Sequence, residues 1–458
     1  MLRSRSLHLL PRALALAACL AAAGCGHDRS RDPERGVWRS VGYGYVLDDT
    51  GAAPVLYETA GTSWCVRSPE AYGPRGPVRS QLLDGGRRRR AWFGIDVAPI
   101  TFERLAALPD ACRGGGASPA DDPVLTLAVL CRTFQEQYAF FPERDPEFPA
   151  QCAAAQGALA AEPTPAKLGE LVTGLLSSLD DGHVQLYLSP TDVRGFEAPS
   201  RIQRQLQAEF EAQTAYDDLG AYVQAQAERF EAIREGYAAG GLQSAAGGAL
   251  RWGRLGEQAG YVVLDATELA DEPATEQGQV EPIAAAFDQA LAELGALPTL
   301  VLDLRRNGGG YDAVALALAG RLTAAAYPAF GVSAWDGAAF TAPSTVQVTP
   351  RGGGYAGRVV VLTSEVTASA AEVLVLALQA RGGTTVVGEA THGAFSDQLL
   401  RTLPNGWVVS LSNERYQTLD GRCDEVAGIA PDLDVPFFAQ EDREAGRDAA
   451  LDAALGLP

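Results

Sequence analysis

The stretch from Val359 to Arg381, VVVLTSEVTASAAEVLVLALQAR, constrains this chain more than any other. Val359 to Leu362 is a short β-branched and leucine run bounded by polar residues, the pattern of a buried strand. Thr363 to Ala368 is a polar turn, and everything from Ala370 to Leu378 favours a helix that stops at Gly382-Gly383. Ser369 therefore stands where a strand gives way to a helix. There its hydroxyl points out of the fold, beside the unpaired N–H groups of a first helical turn. Small Ala370 and Ala371 leave those donors open to a carbonyl oxygen, as an oxyanion hole requires. Taken alone, the stretch favours a serine that only caps a helix.

The surrounding pattern is strand, helix, strand, helix. Ala259–Leu264 reads as a strand, Val280–Leu294 as a helix, and Thr299–Leu304 as a second strand ending at Arg305-Arg306-Asn307-Gly308-Gly309-Gly310. Such alternation predicts an α/β core with a mostly parallel sheet, in which chemistry sits at the carboxyl ends of strands. The glycines at one such end let backbone N–H groups face a ligand.

The other segments divide the chain. Residues 37–112 alternate like strands and predict a small β-rich domain, read as a spacer or docking module. Residues 122–195 read as helical, with an Asp180-Asp181-Gly182-His183 turn after a helix over Ala166–Leu179. Residues 196–248 read as a helical arm or linker, 250–440 as the α/β core and 441–458 as a tail.

The start reads as a targeting segment over 1–25. Arg3, Arg5 and Arg12 precede an apolar run, Ala13–Ala23, too short to span a membrane. It closes on Ala22-Ala23-Gly24-Cys25, which resembles a bacterial lipobox, with residues 26–36 as tether. That resemblance implies cleavage before Cys25, lipidation of its thiol and anchoring in the cell envelope. Export implies an oxidising compartment, so Cys65 with Cys112 and Cys131 with Cys152 are candidate disulfides, leaving Cys423 over. The spacing does not fix the pairing.

Charge and metal ligands narrow the function. A net charge of −20, with Arg87–Arg90 as the sole basic cluster, argues against nucleic-acid partners. The chain has four histidines, His8, His27, His183 and His392, and no C-x-x-C motif, which argues against a zinc site.

Four separated motifs carry a family resemblance: Leu179-Asp180-Asp181-Gly182-His183, Leu302 to Gly310, Thr367-Ala368-Ser369-Ala370-Ala371-Glu372, and Glu425-Val426-Ala427-Gly428-Ile429-Ala430-Pro431-Asp432. In this order the chain resembles the serine peptidases that include the C-terminal (tail-specific) processing proteases, the tricorn core protease and the interphotoreceptor retinoid-binding protein repeats. The resemblance spans roughly residues 122–438 and implies a spiral α/β core shared with the ClpP and crotonase proteins. No PDZ-type peptide-binding module is recognisable.

The resemblance also assigns roles. The position of the lysine base in the tail-processing branch is Ala394 here, and the one lysine, Lys167, lies far back in the chain. The tricorn-like branch uses histidine, which falls on His183. Ser369 is thereby the nucleophile, His183 the general base and Glu425 the orienting acid, with Ala370 and Gly308 or Gly309 as oxyanion donors. The tricorn-type serine before the histidine is Gly182 here, so Glu425 acts either directly or through a water. Asp181 is a competing orienter and His392 a competing base, while Glu372 stabilises the helix start. No cofactor or metal is implied. The substrate is then a peptide or protein tail. The rival readings are a catalytically silent binding lipoprotein on the same fold and a serine esterase.

Overall fold

A computed structural model of the protein describes residues 33–69, 76–117 and 120–457. The leader, Cys25 and most of the tether lie outside the described residues. Among those residues no helix is long and apolar enough to cross a membrane.

A seven-stranded sheet positions the site. Its order is Ala239–Ala245, Leu250–Leu255, Ala259–Leu264, Thr299–Asp303, Arg358–Thr363, Thr384–Gly388 and Leu433–Asp434. The first two pairings are antiparallel and the other four parallel. Strand periodicity sorts the side chains: Val262, Leu264, Leu300, Leu302, Val359 and Val361 face one way. There the helices Glu281–Leu294, Asp312–Arg321 and Ala370–Arg381 cover them. Tyr261, Val263, Val301, Val360 and Leu362 face the other way, against Ala450, Leu451 and Ala454 of the helix Ala449–Gly456. Both faces are buried, which is why these strands read as continuous apolar runs rather than alternating ones. The stretch read as a tail is thus part of the core.

A buried ion network fixes that last helix. The Arg305 guanidinium, 1% exposed, donates to both oxygens of Asp303 (2.9 and 2.6 Å) and to both of Asp448 (2.8 Å each). Tyr261 adds a 2.6 Å bond to Asp303. Burial alone would raise the Asp303 carboxyl, but Arg305 and Arg234 hold it below the usual carboxylate range. Arg305 opens the glycine loop 306–310, so the network ties the C-terminal helix to that loop.

The N-terminal sheet has seven antiparallel strands between Val37 and Leu105. The run Val37–Leu47, which alternates like one strand, is two, Val37–Ser40 and Tyr45–Asp48, folded back on each other. Gly42 and Gly44, at φ +91° and +62°, make that reversal possible. One face of the sheet buries a small cluster of its own, Val37, Val46, Tyr57, Cys65 and Cys112, while the other is closed by later segments. Trp38, Tyr45 and Phe102 share one apolar cluster with Phe134, Leu176, Val409 and Leu411 from later segments. Polar ties run the same way: Tyr43 donates its hydroxyl to Glu414, and Glu58 accepts the Thr402 N–H at 2.7 Å. A separate spacer would have no reason to share its core.

Disulfides join Cys65 to Cys112 and Cys131 to Cys152, and Cys423 is free. The first links the N-terminal sheet to the segment that follows it; the second cross-links the helices Pro123–Gln137 and Phe148–Ala161.

Two segments depart from the sequence reading. Helices end by Leu179, and Gln185–Ser189 and Asp192–Gly195 are strands of a four-stranded sheet with Gln398–Thr402 and Val408–Ser412. Four- and five-residue strands carry too few apolar positions to establish a period. The 196–248 arm is two helices, Arg201–Ala212 and Leu219–Tyr237, followed by an edge strand of the central sheet, Ala239–Ala245. Its Gly240-Gly241 pair sits at a bulge in that strand.

Candidate active site

Ser369 lies at the start of the helix Ala370–Arg381 with φ 55° and ψ −128°, a conformation a serine adopts only under constraint. The constraint is visible. The Ser369 N–H reaches the Ala394 carbonyl and a Glu372 carboxylate oxygen, each at 3.0 Å. Glu372, fully buried, also accepts from Thr391 Oγ1 (2.5 Å), the Gly393 N–H (2.7 Å) and the Ala394 N–H (2.9 Å). Burial pushes its carboxyl up against the lowering effect of these donors. Glu372 thus does more than steady a helix terminus: it clamps the serine turn to the segment 391–394. The sequence signal for this was its place three residues after Ser369, a spacing shared by ordinary capping boxes.

The glycine loop closes on the same serine. The turn before Ser369 is stitched to it by Ser364 Oγ on the Arg305 carbonyl (2.6 Å), Thr367 Oγ1 on Leu304 (2.9 Å) and the Ala368 N–H on Asn307 (3.1 Å). Gly309 has φ +108°, and a Cβ there would stand 2.6 Å from Ser369 Cβ and 3.2 Å from its Oγ. Only glycine fits. The Gly309 N–H, however, is donated to Asn307 Oδ1 at 2.8 Å. Of the two candidate glycines, Gly308 is the one whose N–H has no hydrogen-bond partner among the described residues, and the Ala370 N–H has none either. Two free donors therefore flank the serine.

His183 sits on the loop after the helix Pro165–Ser177, 8% exposed. Its N–H donates to Asp181 Oδ1 (2.9 Å) and its carbonyl accepts from Ser410 Oγ (2.7 Å), so the loop is held by backbone. Its ring Nδ1 is enclosed without a partner. Burial pushes the imidazole below its ordinary value; Asp181 pulls it up, and His392 and Arg144 push it further down. The ring is therefore neutral, able to accept a proton, at neutral pH.

Asp181 is fully buried but is spent on the loop. One oxygen takes the His183 N–H, the other takes the Tyr138 hydroxyl at 2.8 Å, and Arg144 Nε lies 3.5 Å away. Glu425 accepts the Phe395 and Ser396 N–H groups on one oxygen (2.9 and 3.2 Å). Its other oxygen has no hydrogen-bond partner and lies 3.9 Å from Arg144 Nη2. Burial, then Asp181, raises its carboxyl to about 8. Arg144 thus spans Asp181 and Glu425, a role no motif signalled. No direct hydrogen bond joins Glu425 to His183; His183 Nδ1 and Glu425 Oε1 are both buried without a hydrogen-bond partner.

Both ring nitrogens of His392 are committed. Nδ1 lies 3.0 Å from the Glu365 carbonyl and therefore carries the proton, and Nε2 lies 2.6 Å from Glu197 Oε1. A histidine engaged on both sides is not poised to take a serine proton.

A second acidic group lies beyond Ser396. Asp96 and Asp397 stand near buried Asp312 and Glu414; desolvation raises Asp397 to about 6, and desolvation with repulsion from Asp397 raises Glu414 to about 8. Among the described residues no cluster suited to a metal ion occurs.

Comparisons with known proteins agree with this architecture. Residues 258–435 match the model of peptidase family S41. A carboxyl-terminal-processing protease of Picosynechococcus sp. is 40% identical over 77 residues, which span 17% of this chain and 19% of that protein. The chain therefore matches about a fifth of that relative's length. A solved structure from Parabacteroides merdae has a TM-score of 0.58 at 23% identity, covering 74% of this chain and 96% of that one. Mature CPAF has a TM-score of 0.50 at 14% identity, covering 72% and 96%. Over residues 258–435, which hold five of the central sheet's strands and the Ser369 turn, the chain is thus similar to peptidase family S41, and the likeness supports a serine-type peptidase.

Proposed function

We propose that the protein is an exported serine endopeptidase that hydrolyses peptide bonds of peptides or protein tails through an acyl-enzyme on Ser369. The observation that carries this reading is the strained Ser369 turn, with the free N–H groups of Ala370 and Gly308 on either side of it. In the proposed cycle His183 takes the Ser369 hydroxyl proton as Oγ attacks the substrate carbonyl. The negative oxygen that develops accepts hydrogen bonds from Ala370 and Gly308. Collapse breaks the C–N bond, and His183 returns the proton to the leaving amine. A water then repeats the sequence on the ester, releasing the acid and restoring Ser369. In this cycle Glu425 orients the ring, directly or through a water.

The test is cleavage of unstructured protein and peptide substrates by the full chain and by Ser369→Ala. Internal peptide bonds are expected to be cut by the first and not by the second. Equal cleavage by both would overturn the assignment, and hydrolysis confined to esters would replace the peptidase with an esterase.

Localisation follows from the leader. Arg3, Arg5 and Arg12, the apolar run and Ala22-Ala23-Gly24-Cys25, together with two disulfides in the folded part, support export and anchoring through lipidated Cys25. Cys25→Ser is expected to move the protein from the membrane fraction to the soluble fraction of the cell envelope; a variant that stays membrane-bound would contradict the anchor.

A further inference from the structure

The motifs leave one feature near the proposed base without a role. Residues Phe196–Ser200 cross the loop that carries His183 and lead into the helix Arg201–Ala212. This strap is tied at both ends. The Ala198 N–H donates to Asp180 Oδ1 at 2.6 Å, and the N–H groups of Arg201 and Ile202 donate to Glu365 Oε2 (3.0 Å) and Oε1 (2.5 Å). Arg201 also donates to both oxygens of Glu389 at 2.8 Å. Between the two ties, Glu197 Oε1 meets His392 Nε2 at 2.6 Å, and His392 Nδ1 donates to the carbonyl of the same Glu365. Gly182 faces the pair directly: a Cβ on it would lie 3.4 Å from both Glu197 Oε2 and His392 Nε2.

We propose that His392 and Glu197 are positioning residues for the base: the pair straps residues 196–200 over the Asp180–His183 loop and sets a fixed cation beside the His183 ring. The inference rests on His183 as the base. His392 is 22% exposed at its side chain and Glu197 41%, so the pair bridges the enclosed site and solvent. Hydrogen bonding to Glu197 raises the His392 imidazole to about 9, which keeps it cationic at neutral pH. The charged and titratable groups that act on His183 are Asp181, His392, Arg144 and Glu197. Those acting on His392 are Glu197 and Glu372, besides the Glu365 carbonyl. A cation near an imidazole disfavours its protonation, so His392 helps to hold His183 in the neutral form that accepts a proton. Removing that cation while Glu197 keeps its charge lets the His183 midpoint rise, and activity governed by His183 then needs a higher pH.

The experiment is the NMR titration of histidine ring resonances in the unmodified chain and in His392→Gln and Glu197→Gln, with assignment by substitution. His392 is expected to titrate near 9, and His183 below its ordinary value. In His392→Gln the His183 midpoint is expected to rise by roughly one unit. In Glu197→Gln, which keeps shape and hydrogen bonding, the His392 midpoint should fall by more than one unit. A His183 midpoint unmoved in His392→Gln, or a His392 midpoint that stays near 9 in Glu197→Gln, would overturn the proposal. These readouts do not depend on turnover. A chain that titrates as expected yet shows no Ser369-dependent cleavage would sink the peptidase reading and leave the ion pair standing.

Discussion

His183→Ala is expected to lower kcat/KM on a peptide substrate by about 10⁴- to 10⁶-fold, the range that loss of a serine hydrolase's base produces. Fold and substrate binding should stay close to those of the unmodified chain. The His183 ring makes no hydrogen bond through Nδ1, and the loop is held by its backbone N–H and carbonyl, which alanine keeps. What the substitution removes is the imidazole proposed as base, so the loss should appear in kcat with little change in KM or in the unfolding midpoint. His392→Ala provides the contrast, because both its ring nitrogens are already engaged and its effect should be far smaller. Steady-state kinetics on both variants decide the matter. If His183→Ala stayed within tenfold of the unmodified chain while His392→Ala did not, the base would be His392.

Arg305→Ala is expected to be the most damaging single change to stability, by about 3–5 kcal/mol, since it leaves two buried carboxylates without their partner. Four hydrogen bonds link this one guanidinium to Asp303 and Asp448. The direction with pH follows from Asp303. Its carboxyl is held below the ordinary range in the fold, so its contribution is present above the unfolded value near 3.9 and is lost as pH falls toward the folded one. Without Arg305, only Arg234 and Tyr261 remain to offset burial, so the Asp303 carboxyl moves up and that dependence weakens. Urea unfolding at neutral pH measures the effect, and a loss below about 1 kcal/mol would show that the network is dispensable. The variant should also lose activity beyond its loss of folded protein, because Arg305 anchors the loop that presents Gly308.

Much of this was legible in the sequence, and the reason is local. The strands Ala259–Leu264, Thr299–Asp303 and Arg358–Thr363 and the helix after Ser369 announce themselves because each buries a contiguous apolar run. Their order gives the parallel sheet, and the carboxyl ends of its strands give the places where Gly308 and Ser369 meet. What stayed hidden depends on partners distant in the chain. Glu197 meets His392 from a stretch that reads only as a polar arm, and Arg144 reaches Asp181 and Glu425 from a short helix with no motif. The N-terminal strands are evident as strands, but no periodicity reveals that their apolar face closes on Phe134 and Leu411. Gly309 shows the finest limit. A glycine-rich turn suggests free N–H groups, yet the side chain of Asn307 captures that of Gly309, which leaves Gly308 as the glycine proposed for the oxyanion hole.

The central claim is that Ser369 is an activated nucleophile, and the most direct measurement is covalent capture. The folded full chain would be treated with a fluorophosphonate and the modified residue located by mass spectrometry of its peptides, beside Ser369→Ala and His183→Ala. A single adduct on Ser369, absent in Ser369→Ala and strongly slowed in His183→Ala, is the predicted result. Modification of a different residue, or none in a chain shown to be folded, would contradict it.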